Sequence, residues 1–109
     1  MLAFAALLTL GAAACGAAAV PVPVAADAAR ASARWPDADL GQLTSGRNLY
    51  VRKCGGCHTL VPPRTRPPEA WPPIVEVMAT RIGLPERERE LITRYVVTIS
   101  DLAPTASSR

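Results

Sequence analysis

Cys54-Gly55-Gly56-Cys57-His58 is the stretch that decides how this chain is read. A Cys-x-x-Cys-His run is the attachment pattern of a covalent c-type haem. Two thiols two residues apart can add to the two vinyl groups of one macrocycle. The His that follows then lies under the iron and supplies its proximal nitrogen. The two glycines carry no side chain, so the backbone can come close to the ring. Competing uses of the pattern fare worse. A structural zinc site needs about four Cys or His ligands, and Cys54, Cys57 and His58 make three; Cys15 lies far off in another kind of segment. A thioredoxin-like redox pair wants a βαβ setting, and the flanks here have helical periodicity.

Composition agrees. The chain has 109 residues and a single His, with twelve basic residues against nine acidic ones for a net charge of +3. A core this small is marginal without a staple, metal or cofactor, and a bound haem would supply the missing apolar centre. Its two propionates would leave a net charge of roughly +1, too little to steer a partner over distance. The basic residues are scattered and aromatics are few, so nucleic-acid binding is not expected.

Working outward toward the N-terminus, residues 1–14 form an uncharged, apolar and small-residue segment that reads as an export signal. It ends at Cys15. Small residues followed by Cys resemble the lipobox of bacterial lipoproteins, which implies lipidation of Cys15 and a membrane anchor; Ala12 stands where that motif prefers Leu. Two other readings stay open: plain cleavage after Ala14 or after Ala17-Ala18-Ala19, and an uncleaved span within residues 2–26. Each places the haem region in the periplasm or otherwise outside the cytoplasm. Residues 15–38 are rich in Ala with Pro21, Pro23 and Pro36, which predicts a flexible or partly extended tether.

The remainder predicts an all-α domain over residues 39–103, followed by a tail at 104–109. Asp37 or Asp39 can cap a first helix starting near Leu40, and Leu40, Leu43, Tyr50 and Cys54 share one face. Gly46 inside that helix costs about 1 kcal/mol against Ala, which calls for a second helix in close approach. Residues 59–68 hold Pro62, Pro63, Pro67 and Pro68 and predict an irregular wrap. Trp71, Val75, Met78 and Ile82 form an apolar stripe, with Pro72 and Pro73 in the first turn and Gly83-Leu84-Pro85 as the stop. A last helix runs from Pro85 to Ser100, with Leu91, Tyr95 and Ile99 four apart and Tyr95 the natural partner for Gly46 and Tyr50.

Gly46-x-x-x-Tyr50-x-x-x-Cys54-Gly-Gly-Cys57-His58 resembles the opening of a class I cytochrome c domain, and the likeness runs over about residues 40–102. It implies three main helices wrapped around one covalent haem c, with the last helix crossing the first at the small residue. It implies that a proline carbonyl of the loop, from Pro62, Pro63 or Pro67, accepts the second ring N–H of His58. The stretch from Trp71 to Met78 is similar to a compact subgroup in which a Trp precedes the ligand Met. Met78 is the candidate sixth ligand. A Met in an apolar stripe is often only core, but the chain has no second His and its other Met is Met1. Thioether ligation is known in cytochromes c. Five-coordinate or externally ligated iron is the alternative. Arg64 or Arg66 can pair with a propionate or simply face water.

These readings imply an electron carrier rather than an enzyme, with redox proteins as partners and no small-molecule substrate. The second expectation is the haem subunit of a larger periplasmic dehydrogenase, of the sulfite-dehydrogenase kind. The third is a sensor or peroxidase-like protein with open iron, which requires Met78 not to bind.

Overall fold

Asp27 sets where the first helix begins. The computed structural model describes residues 20–55 and 60–101. Val24 has an extended backbone, and its N–H donates to the Asp27 carboxylate at 2.7 Å. That bond caps helix α1, Ala25–Arg34. This helix corrects the tether expectation for its part of residues 15–38. Asp27 (4 % exposed) and Ala31 (1 %) are buried, and Arg30 donates to the Thr98 carbonyl at 2.9 Å across to the last helix. Ahead of it, Val20 enters the core. Arg47 Nε donates to the Val20 carbonyl at 3.0 Å and the Tyr95 hydroxyl to the Pro21 carbonyl at 2.6 Å. An alanine-rich segment shows no apolar stripe, yet small side chains let it lie close on a neighbour, and the side chains of Arg47 and Tyr95 satisfy its leading backbone.

Helix α2, Leu40–Leu49, is capped by Asp39, whose carboxylate accepts the Gln42 N–H at 2.8 Å. It passes without a break into a π-helical turn, Tyr50–Cys54. Leu49 and Tyr50 are both buried, while Leu40, expected on the inner face, is exposed at the start of the helix. Leu43 belongs to a separate small cluster with Ala31 and Ala38 under α1.

The proline-rich wrap contains two short 3-10 turns, Pro63–Thr65 and Pro68–Ala70. Helix α3, Trp71–Ile82, starts with both prolines in its first turn and stops at Gly83, which adopts the left-handed conformation at φ 68°. The Leu84 N–H then reaches back to the Ala79 carbonyl at 2.9 Å. Helix α4, Glu86–Ser100, carries the broadest buried face, including Ile92, Tyr95, Val96 and Ile99.

α2 crosses α4 at Gly46. A Cβ there would sit 2.1 Å from the Leu91 carbonyl oxygen and 2.9 Å from Tyr95 Cβ. The glycine exists for this approach, as the pattern predicts. Arg94 ties the corner between α1 and α2 to α4, reaching Gln42 at 2.8 Å, Glu90 at 2.6 Å and Asp37 at 3.1 Å. Its hydrogen bond holds the Asp37 carboxyl below the usual range.

The described chain is all-α, with four α-helices rather than three and no strand among the described residues. Among the described residues no helix is long and apolar enough to cross a membrane. The expectations for Cys15, Cys57 and His58 lie outside the described residues, as do those for the segment at 1–14 and the tail at 104–109.

Candidate functional site

The π-turn, the proline loop, α3 and the start of α4 enclose one apolar cavity. Its volume is about 220 Å³. A water molecule takes up about 30 Å³ in the liquid, so this space is not a packing defect. Cys54 and Tyr50 come to it from the π-turn, Val61 and Arg66 from the loop, and Trp71 and Met78 from α3.

Cys54 is half-buried, and burial pushes its thiol up from the ordinary range. Gly55 follows it, and a Cβ there would lie 2.8 Å from the Val51 carbonyl and 3.2 Å from Leu60. A side chain at 55 would therefore crowd the backbone of the turn that carries the thiol and displace the Leu60 side chain. Met78 lines the same cavity and is 37 % exposed. Two candidate haem-binding residues, an attachment Cys and a ligand Met 24 positions apart in sequence, thus share one pocket.

The wall between them is aromatic. Tyr50 meets Trp71 edge to face, with ring centroids 6.0 Å apart and planes at 87°. Tyr50 also lies 6.2 Å from Tyr95. The polar tips of the two pocket rings both turn to the loop. The Tyr50 hydroxyl donates to the Val61 carbonyl, and Trp71 Nε1 donates to the Pro63 carbonyl at 2.9 Å. Burial pushes the Tyr50 phenol well above its usual range.

The two loop arginines part company. Arg64 Nε turns to the Ile99 carbonyl at 3.4 Å, at the end of α4. Arg66 lines the cavity, with its guanidinium carbon 6.0 Å from the Trp71 ring centroid. It is the charged side chain among the described lining residues.

The stripe expected on α3 needs one correction. Trp71, Val75 and Ala79 are the buried positions, each four apart, and Ile82 is 48 % exposed. Met78 sits beside that stripe, at the pocket rim rather than in the core. Ala79, Leu84 and Ile92 also line the pocket and were missed. The four-residue spacing from Trp71 marks Ala79, and the apolar residue after the Gly83 stop marks Leu84.

The chemistry of the lining suits a large apolar macrocycle with anionic edges: a thiol, a thioether, aromatic walls and one guanidinium. Among the described residues no group of three or more His, Cys, Asp or Glu side chains could hold a bare metal ion. No family model, curated protein or solved structure matches this chain.

Proposed function

We propose that the chain is an extracytoplasmic c-type cytochrome of the class I kind, which passes single electrons between protein partners through one covalent haem c. Cys54 and Cys57 would form the thioether links, and His58 and Met78 would ligate the iron. The observation that carries the reading is the shared pocket. The motif residue Cys54 and the lone Met of the domain open into the same apolar space from different elements. Bound there, the haem supplies reversible one-electron chemistry at an iron whose potential follows its axial ligands and burial.

The chain's own residues do the rest. Trp71, Val75 and Ile92 exclude water from the pocket, which favours the less charged redox state. Arg66 supplies a planar fork suited to a carboxylate at the mouth. With His58 and Met78 both ligating, no position stays open for substrate, so the protein carries electrons and is not itself an enzyme. Export by the segment at 1–14 puts it in the periplasm, with lipidation of Cys15 or simple cleavage as the two routes. The reading as a haem subunit of a larger dehydrogenase draws on the exposed apolar side chains of α3, where Val77 is 52 % exposed and lies beside Ile74 and Met78.

Expression with a c-type maturation system tests this directly. The expected product keeps its haem through acid–acetone extraction and shows a Met-to-iron charge-transfer band in the ferric spectrum. Release of the haem would refute covalent attachment. In Met78→Ala the band should vanish and the iron become open to carbon monoxide. An unchanged low-spin spectrum would remove Met78 from the ligand set. Co-purification with a catalytic subunit separates the complexed form from a free shuttle.

A further inference from the structure

The two buried rings at the pocket each spend their one polar atom on the same short piece of loop. Tyr50 and Trp71 are almost fully buried. Their donors engage carbonyls two residues apart, at Val61 and Pro63, and the rings brace each other edge to face. Tyr50 stands four residues before Cys54, and Trp71 stands seven residues, or two helical turns, before Met78. The loop therefore joins the thiol-bearing turn to the helix that carries the thioether.

Holding Pro63 against Trp71 fixes the same loop to α3.

We infer that Tyr50 and Trp71 are positioning residues that fix the Met78 helix against the Cys54 turn through the loop, with the Tyr50-to-Val61 hydrogen bond as the principal pin. This rests on the haem reading above. Loosening the pin leaves the pocket walls in place and lets the loop drift, so a bond from Met78 to a bound iron would give way more readily to an outside ligand.

Tyr50→Phe removes the hydroxyl and keeps the ring against Trp71 and Tyr95. Tyr95→Phe is the control, since it deletes another buried hydroxyl bond, to Pro21, away from the loop. Two measurements on the full chain apply. Amide exchange at Thr65 and Arg66, whose N–H groups close the turn on Pro62 and Pro63, should quicken about tenfold in Tyr50→Phe, the worth of one such hydrogen bond. Imidazole affinity of the ferric haem protein should rise by a similar factor. Tyr95→Phe should change neither beyond twofold. Equal effects of the two variants on imidazole affinity would reduce Tyr50 to general stability and overturn the inference. Faster exchange with unchanged imidazole affinity would also overturn it, because the loop would then be pinned without consequence for the ligands. A chain that takes up no haem would refute the proposed function instead, and the exchange measurement would still report on the pin.

Discussion

At position 46 a single hydrogen atom sets how closely two helices meet. Replacing Gly46 by Ala gains about 1 kcal/mol of helix propensity. The same methyl would stand 2.1 Å from the Leu91 carbonyl oxygen, which is backbone inside α4 and has no rotamer to escape into. Forcing extra carbon into packed surfaces costs about 1–3 kcal/mol, at times more, and a clash with backbone belongs at the upper end. Gly46→Ala should therefore lose about 2 kcal/mol net, read as a lower urea midpoint. A neutral or stabilised variant would mean that α2 and α4 do not cross here. The amino-acid sequence alone marks this residue, because a glycine mid-helix asks for a partner that needs the space. Met78 is legible only in part. Counting by three and four places it in a core stripe with Ile82, whereas the helix buries positions 71, 75 and 79 and leaves Met78 at the rim. The chemistry of a lone thioether marks it; the periodicity misassigns its depth.

Among the elements, α3 and α4 can be read from their punctuation. Prolines open α3, a left-handed glycine closes it and Pro85 precedes α4. The first helix has no such signs. Its residues are mostly alanine, its cap is a side chain within its own first turn, and the strap leading into it bonds to partners up to 74 residues away. Sequence patterns report a segment's own periodicity, and α1 is ordered by what it leans on. Asp27 is where that dependence can be measured. It caps Val24, pairs with Arg30 at 2.5 Å and is buried. Asp27→Ala removes the cap and leaves Arg30 to the Thr98 carbonyl alone, so the domain should lose about 1–2 kcal/mol in urea melts. A free tether at residues 20–34 would show no change at all.

For the molecule as a whole, two buried phenols bind the pieces together. Tyr95 joins α4 to the leading strap through Pro21, and Tyr50 joins the π-turn to the loop through Val61. Each acts as a donor, so each needs its proton. Burial pushes Tyr95 from 10.0 up to about 12, and Tyr50 upward in the same direction. A phenol whose folded pKa is raised stabilises the fold fully below the unfolded pKa near 10 and loses that stabilisation as pH climbs toward the folded value. Thermal melts by circular dichroism should thus show a midpoint insensitive to these groups up to about pH 9 and a steady fall between about pH 10 and 12. In Tyr95→Phe the midpoint should start lower, because the bond to Pro21 is gone, and the fall should be shallower, because one titrating group is gone with it. Ionisation of both tyrosines near pH 10 with the helices intact would show that neither phenol is held in the core. The outcome bears on the site as much as on the fold, because Tyr50, which packs against Tyr95, is also a wall of the pocket. If the proposed haem and Met78 ligation hold, alkaline loss of the fold and loss of that ligation should then occur together.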